Sequence, residues 1–303
     1  IMLTVAAGFV SLLSIPLESL LSLSVLLASR VVLGLGESLL ITGALAWGVG
    51  LLGPARAGRV MAYSGMAMYA AIAAAAPLSL FLVQRYGIVA AIAAAMVMPL
   101  IAGLLTFLVP AVQPMGKERM PFYTVLNRVW KQGAGLAFAA VGFAGVAGFG
   151  VLYFQQQGWQ NAALLMPVFG AAYIAARLFF AQAPDKFGGK KVALVSLAIE
   201  IAGLALIWQA PSPVFAFAGA ALTGFGYSLA FPSFGVEAVK SVEPQFKGVA
   251  LGAYVAFFDL ALGTTGPLAG MVATAFGYPA VYLFGLVSCA VAVLIALQLR
   301  NKS

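Results

Sequence analysis

The sequence predicts an all-α, polytopic membrane protein built from two pseudo-repeated halves. Of its 303 residues, 63% are hydrophobic and only 8% are charged, whereas soluble domains carry about 25% charged residues. Apolar runs of about 20 residues, long enough to cross a bilayer, recur along the chain. Prolines and glycines also recur at a fixed separation. These three observations together predict a bundle of transmembrane helices.

About ten apolar runs are present, and each is predicted to form one helix. A polar segment at 111–133 separates the fourth run from the fifth. It divides the chain into an N-terminal bundle at 1–110, a cytoplasmic linker at 111–133 and a C-terminal six-helix bundle at 134–303. The runs are 1–17, 20–47, 58–83, 88–110, 134–156, 161–182, 191–210, 213–239, 247–275 and 279–299.

The basic residues of the loops lie almost entirely on one side of the predicted membrane. The positive-inside rule makes that side cytoplasmic and places the C-terminus there. Short basic loops are typical of topology determinants, so we expect no nucleic-acid partner. The expected partner is the lipid bilayer. The other side carries Arg85. The cytoplasmic set is Arg56, Arg59, Lys117, Arg119, Arg128, Lys131, Lys186, Lys190, Lys191, Lys240, Lys247, Arg300 and Lys302.

Several kinds of chemistry find no support in the sequence. There is no histidine, and the one cysteine, Cys289, lies inside an apolar run, so neither a disulfide framework nor a Cys/His metal site is predicted. No GxxxxGK[ST] phosphate loop is present. We expect no cofactor and no enzymatic activity. Any activity that requires energy would therefore be driven by an ion or solute gradient or by another subunit.

An internal repeat relates the two halves at a constant shift of 190 residues. Parallel repeats of this kind are the building plan of one large class of secondary transporters. If the second half begins near residue 134, the first begins near 134 − 190 = −56, which predicts a twelve-helix protein lacking its first two helices; a complete ten-helix protein is the alternative. The matching pairs include Gly34/Gly224, Gly36/Gly226, Pro54/Pro244, Gly58/Gly248, Pro77/Pro267 and Gly87/Gly277.

A short basic hairpin is predicted between the sixth and seventh runs. Its motif residues are Asp185, Lys186, Gly188, Lys190 and Lys191, and Asp185 is placed to interact with a neighbouring helix N-terminus. The stretch resembles the cytoplasmic-loop signature of the major facilitator superfamily, G-x-x-x-D-[RK]-x-G-x-[RK]-[RK]. Ala181 stands where that signature has its first glycine.

Helix-shaping residues strengthen the resemblance. Arg30, Gly34 and Gly36 resemble the R-x-x-x-G-x-G pattern of the superfamily's fourth helix. Pro77 and the Gly266-Pro267 pair resemble its proline-bearing fifth and eleventh helices, although Ala76 replaces the glycine expected before Pro77. The full glycine-proline motif is associated with export. The chain is most similar to a bacterial inner-membrane subgroup called arabinose-efflux-like permeases, which implies a multi-pass, monomeric inner-membrane protein.

Four charged residues inside apolar runs are the transport and proton-coupling candidates, since a charge near the bilayer centre costs about 2.5–3.5 kcal/mol. Arg30 and Glu37 share a helix face but lie ~10 Å apart, so they predict one polar stripe, with the partner of Arg30 on another helix. The resemblance places Asp259 beside the central cavity and makes it the leading proton carrier, ahead of Glu200. Permanent interhelical ion pairs are the alternative for both acids. Arg177 is expected to snorkel or to tie the loop.

Polar residues at depth are the cavity candidates: Tyr69, Thr223, Tyr227, Thr264 and Thr265. Gly142, Gly145 and Gly148 are expected to allow close helix packing. The predicted function is a secondary active transporter of a small organic solute, working by alternating access with proton-coupled efflux as an antiporter. The alternative is a non-transporting membrane sensor or an inactive transporter fragment.

Overall fold

The computed structural model describes residues 1–53, 56–112, 122–243 and 246–299. These ranges are helical, without a β-strand. Pro54, Lys117, Arg119, Pro244, Arg300 and Lys302, named above, lie outside the described residues. The helices are α1 (Met2–Leu13), α2 (Ser19–Leu52), α3 (Ala57–Tyr86), α4 (Ile88–Thr106), α5 (Phe122–Gln156), α6 (Leu165–Phe180), α7 (Ala183–Phe187), α8 (Gly189–Trp208), α9 (Pro213–Lys240), α10 (Lys247–Phe276) and α11 (Pro279–Leu297).

Nine helices in the described part of the chain are long and apolar enough to cross a membrane, namely α2–α6 and α8–α11. A 3-10 turn at Ala162–Leu164 leads into α6. The first predicted run forms α1, a shorter apolar helix of 12 residues. The five-residue helix α7 lies in the basic hairpin. The predicted class, an all-α polytopic membrane protein, is confirmed.

Helix α5 begins at Phe122, so Arg128 and Lys131 of the predicted linker lie within a helix. Val125 and Val129, four residues apart on one face of this segment, are fully buried. Burial of an apolar stripe stabilises a helix more than propensity alone does. The polar side chains of this stretch therefore lie on a helix that packs through its other face.

The chain divides into two compact units. The first comprises Ile1–Leu51 and Ala75–Pro114, and the second comprises Leu52–Ala74 and Met115–Ser303. The N-terminal part of α3 therefore groups with the later helices, whereas the sequence predicted a division at 111–133. Helix α3 contributes residues to both units.

Close helix packing in the first unit depends on small residues. Helix α1 packs against α4 where Gly8 lies next to Met96. The Ser11 hydroxyl on α1 donates to the Ser29 hydroxyl on α2 at 3.0 Å. A Cβ on Gly36 would lie 3.0 Å from the Thr4 backbone nitrogen. Small side chains let helix backbones approach one another in a membrane bundle.

The second unit has its core between α5, α8, α9, α10 and α11, with α6 packed against α9. The contact between α8 and α9 is nearly backbone to backbone: a Cβ on Gly203 would lie 2.5 Å from the Thr223 nitrogen, and one on Gly219 would lie 2.6 Å from the Gly203 carbonyl oxygen. Larger residues at these two glycines would push the helices apart.

The predicted repeat is visible in the helix boundaries. Helix α10 begins and ends 190 residues after α3, since 57 + 190 = 247 and 86 + 190 = 276. The glycines that follow these helices, Gly87 and Gly277, have φ values of 82° and 84°, in a region that favours glycine. Helix α1 packs against α4 as α8 packs against α11. Two pseudo-repeated halves are confirmed.

Candidate functional site

A group of aromatic side chains surrounds one arginine in the second unit, and we call it the aromatic–arginine cluster. Its members come from α3, α5, α6 and α9, and each is buried. Two of them, on α3 and α9, were predicted from the sequence as cavity residues. The cluster consists of Tyr69, Phe143, Phe169, Tyr173, Arg177 and Tyr227.

The guanidinium group of Arg177 is fully buried, and each of its three nitrogens donates to a neutral oxygen atom. Its Nε donates to the Ser228 carbonyl oxygen at 2.7 Å and to the Ser228 hydroxyl at 3.1 Å. One terminal nitrogen donates to the Tyr173 hydroxyl at 2.9 Å, and the other reaches the Met61 carbonyl oxygen at 3.4 Å. These bonds connect α6 to α9 and to α3.

This placement overturns the expectation that Arg177 snorkels towards the surface or ties the loop. Tyr173 and Arg177 are four residues apart, so they share one face of α6. The guanidinium carbon lies 5.1 Å from the centre of the Tyr173 ring, within range of a cation–π interaction. A guanidinium with several donors can be buried when nearby backbone and hydroxyl oxygens accept its hydrogen bonds, which the linear sequence does not reveal.

Stacked rings fill the space beside Arg177. The Tyr69 and Tyr173 rings stack with centroids 3.8 Å apart, and the Phe143 and Tyr227 rings stack at 5.6 Å with an interplanar angle of 5°. Tyr69 meets Phe143 edge to face at 5.1 Å, and Phe169 packs against both groups. The cluster combines apolar faces with phenol and guanidinium donors, a mixture typical of small-molecule sites.

Glu200 lies apart from the cluster, at the contact of α8 with α5, α9 and α11. It is fully buried, and its carboxyl oxygens have no hydrogen-bond partner other than the Cys289 thiol among the residues that the structure describes. A Cβ on Gly142 would lie 2.7 Å from one of these oxygens, so this glycine makes room for the carboxyl group. The thiol of Cys289 is its neighbour on α11.

The other three charged candidates are more exposed than Glu200. Arg30 and Glu37 are exposed on α2, and Asp259 is partly buried on α10. Glu37 and Asp259 each take part in an interaction. Glu200 is therefore the most deeply buried of the four candidates, although the sequence ranked Asp259 above it.

The hydroxyl groups of the candidate threonines donate hydrogen bonds to backbone carbonyl oxygens of their own helices. Thr223 donates to the Gly219 carbonyl oxygen at 2.8 Å, and Thr265 donates to Ala261 at 2.6 Å. Thr264 is exposed and bonds to Leu260 at 2.8 Å. Thr223 also faces Gly203 at the tight contact between α8 and α9. Among the five cavity candidates, Tyr69 and Tyr227 are the pair that the fold brings together.

The helix-shaping candidates occupy different surroundings. Gly36 packs closely against α1, but a Cβ on Gly34 would have no neighbour within 4 Å among the described residues. Pro77 lies inside α3, and Pro267 lies inside α10. Gly266 and both prolines are exposed. Of the three packing glycines on α5, Gly142 lies against Glu200 and Gly145 against Val281, whereas Gly148 lies in open space.

The basic hairpin is anchored through residues on other helices. Gly188, with φ 86°, precedes α8. The carboxylate at the N-terminus of α8 belongs to Glu237, which accepts a hydrogen bond from the Gly189 amide at 3.1 Å, while Asp185 is exposed. The Lys190 amine donates to the Leu297 and Leu299 carbonyl oxygens, both at 2.7 Å. Lys186 and Lys191 are exposed.

Comparison with known proteins decides the family. The model of the Major Facilitator Superfamily matches residues 156–303. An uncharacterised MFS-type transporter of Burkholderia mallei is 46% identical over 283 residues, which cover 93% of this chain and 69% of the relative. One from Salmonella typhimurium is 43% identical over 294 residues, covering 96% of this chain and 75% of the relative. The chain belongs to the major facilitator superfamily.

Solved structures agree on the fold. The Escherichia coli fucose:proton symporter FucP has a TM-score of 0.67 at 16% identity, covering 99% of this chain and 84% of FucP. The human organic anion transporter TETRAN has a TM-score of 0.72 at 15% identity, covering 97% and 76%. Identities this low establish the shared fold alone. The chain is thus a multi-pass membrane protein of a family of transporters, not an enzyme.

Proposed function

We propose that this chain is a secondary active transporter that moves a small organic solute across the bacterial inner membrane by alternating access, coupled to protons. The observation that carries the proposal is Glu200, a fully buried carboxyl group whose oxygens have no hydrogen-bond partner other than the Cys289 thiol among the described residues. A charge in such a place is costly unless a partner approaches it. Proton uptake and release there would respond to any rearrangement of the surrounding helices.

The packing around Glu200 supports this role. Its neighbours Gly142 on α5 and Gly226 on α9 leave no room for a Cβ, so the carboxyl group lies where three helices are in close contact. A shift of any of these helices would change the access of water to the carboxyl group. Asp259, which is partly buried, is the second candidate for the same role.

The aromatic–arginine cluster is the proposed solute-contacting and gating group. It holds α3, α6 and α9 together through the hydrogen bonds of Arg177 and the stack of Tyr69 on Tyr173. Alternating access requires such contacts to open and close. Once apart, the tyrosine hydroxyls and the guanidinium would offer hydrogen bonds to a polar solute.

Export is the proposed direction, with the basic loops and the C-terminus in the cytoplasm and the protein acting as a monomer. The support is the likeness to efflux-type permeases and the placement of basic residues in alternate loops. The structural neighbour FucP is a fucose:proton symporter, so vesicle orientation must be part of the test.

The first experiment identifies a solute and then measures its flux. Purified protein is screened for small organic solutes that raise its thermal stability, since a ligand of the folded state stabilises it. Flux of the hits is then measured in inside-out vesicles with and without an imposed proton gradient. We expect gradient-dependent accumulation. A solute that stabilises the protein but never crosses the membrane would favour the sensor alternative instead.

Matched variants test the carboxyl groups. Glu200→Gln should still be stabilised by the solute. Its gradient-dependent flux should fall at least about tenfold, because an amide cannot take up and release the proton. Glu18→Gln, at an exposed glutamate, is the control and should keep full flux. If Glu200→Gln retains coupling and Asp259→Asn loses it, the role belongs to Asp259. Flux that ignores the gradient in the unsubstituted protein would overturn proton coupling.

A further inference from the structure

A pocket of about 580 Å³ lies in the second unit between the start of α3 and the end of α6, beside α7. Three cationic side chains line it: Arg59 on α3, Arg177 on α6 and Lys186 on α7. Among the lining residues that the structure describes there is no Asp or Glu. Side chains of one charge sign in a concave site attract a ligand of the opposite sign.

The three cations differ in how available they are. Arg59 and Lys186 are exposed, whereas Arg177 is buried and its hydrogen bonds go to Ser228, Tyr173 and Met61. Each nitrogen of the Arg177 guanidinium already donates within the protein, so this side chain mainly adds positive charge to the pocket. Arg59 and Lys186 are left as the direct contacts. An arginine fork and a lysine amine together suit a phosphate group.

Large, exposed apolar side chains also line the pocket. Tyr63, Leu178, Phe179 and Phe187 line it and are 62%, 68%, 78% and 67% exposed. Tyr63 and Phe179 lie on α3 and α6, both long and apolar enough to cross a membrane. Exposed apolar surface on such helices is covered by lipid chains, and aromatic side chains favour the membrane interface.

The position of the cations limits the ligand further. Arg59 is in the first turn of α3, and Lys186 follows the C-terminal end of α6 at Phe180, so both lie at helix ends. A ligand held there has its anionic part at the membrane surface and its apolar part beside Tyr63 and Phe179. A soluble anion would leave these aromatic side chains without a partner.

We propose that this pocket binds an anionic phospholipid, with its phosphate between Arg59 and Lys186 and an acyl chain along Tyr63 and Phe179. Basic pockets between transmembrane helices bind lipid headgroups in this way. The lipid contacts α3 and α6 at once, so it connects two helices that are also joined through Arg177. This site is separate from Glu200 and does not depend on proton coupling.

The test measures binding to the purified full chain in detergent. Short-chain phosphatidylglycerol, short-chain phosphatidylcholine and inorganic phosphate are each titrated, with native mass spectrometry and thermal unfolding as the readouts. We expect phosphatidylglycerol to bind and to raise the unfolding temperature most. Arg59→Gln and Lys186→Gln should each weaken it about fivefold, the equivalent of about 1 kcal/mol per basic residue at a membrane surface. Both side chains are exposed, so the variants should fold.

Arg128→Gln is the charge-matched control, because Arg128 is exposed on α5 and does not line the pocket. It should bind phosphatidylglycerol like the unsubstituted protein. Equal weakening by Arg128→Gln would show that overall charge, not this pocket, attracts the lipid. If phosphatidylcholine binds as tightly as phosphatidylglycerol, the net charge of the lipid plays no part in binding. If inorganic phosphate binds as tightly as the lipid, the ligand of the pocket is a soluble anion. Each of these three results would overturn the proposal.

Discussion

Ser228 on α9 accepts two hydrogen bonds from the Arg177 guanidinium on α6, at 2.7 Å to its carbonyl oxygen and 3.1 Å to its hydroxyl group. The same hydroxyl donates to the Tyr173 carbonyl oxygen at 2.8 Å. Ser228 thus connects two helices through a backbone acceptor and a side chain that both donates and accepts. Hydrogen bonds to charged groups contribute more than those between neutral ones, about 1.5–3 kcal/mol.

Replacing Ser228 with alanine should therefore lower stability. Ser228→Ala removes the hydroxyl but keeps the carbonyl acceptor, so we expect a loss of about 1–2 kcal/mol. Ser233→Ala is the matched control: Ser233 is equally buried on the same helix, and its hydroxyl has no hydrogen-bond partner among the described residues. That variant should be neutral or slightly stabilising. Thermal unfolding in detergent compares the two, and an equal loss in both would contradict the assigned role of Ser228.

The glycine at 226 should tolerate no side chain. A Cβ there would lie 2.5 Å from the Glu200 nitrogen and 2.6 Å from the Ser196 carbonyl oxygen, so Gly226→Ala must separate α8 from α9. We expect a loss of at least about 2 kcal/mol, in the range of overpacking. Gly148→Ala, where a Cβ has no neighbour within 4 Å in the described part of the chain, should be neutral or stabilise by up to about 1 kcal/mol. Unfolding midpoints measured side by side provide the comparison.

Glu237 should stabilise the start of α8. Its carboxylate accepts from the Gly189 amide and pairs with Lys240 at 3.4 Å, and a negative charge at a helix N-terminus is favourable. Glu237→Gln should cost about 1 kcal/mol, and less at high salt because the interaction is screened. Asp185→Asn, at an exposed acid in the hairpin, should cost less than about 0.5 kcal/mol. A larger loss of stability for Asp185→Asn than for Glu237→Gln would indicate that Asp185 interacts with the helix N-terminus, as the sequence predicted.

The glycines that directly follow α3 and α10 should respond alike to substitution by alanine. Gly87 and Gly277 have φ near +80° and ψ of 173° and 165°, a conformation open essentially to glycine alone. Gly87→Ala and Gly277→Ala should each cost about 1–3 kcal/mol. Gly270→Ala on α10, where the nearest atom to a Cβ is 4.0 Å away, serves as the helical control and should cost little. Loss at one position without the other would argue that the repeat has diverged there.

The elements of this fold follow closely from the sequence. Nine of the predicted apolar runs contain spanning helices in the described chain, and the 190-residue repeat found in the sequence reappears in the boundaries of α3 and α10. Composition, run length and the positions of glycine and proline are local properties, and they determine which segments are helical. The start of α5 was missed because the polar side chains of 122–133 obscure a buried face formed by Val125 and Val129.

The candidate site was predicted only in part. Tyr69 and Tyr227 were found as polar residues at depth, but Tyr173 and Phe143 were not, and Arg177 was expected near the surface. Their meeting depends on helix rotation: Tyr69, Tyr173 and Tyr227 lie on three helices separated by more than 50 residues of sequence, and no local pattern fixes which faces meet. The four-residue spacing of Tyr173 and Arg177 was the available clue.

The sequence by itself determined the membrane-spanning character, the two-fold repeat and the superfamily likeness, because hydrophobic length and backbone-permissive glycines are encoded residue by residue. Only the tertiary structure decided which charges are buried. Glu200 lies inside because Gly142 and Gly226 let three helices close around it, and Arg177 lies inside because Ser228, Tyr173 and Met61 supply oxygen atoms from three helices. Burial of a charge depends on how helices pack around it, and apart from Tyr173 the residues that surround these two charges are distant in sequence.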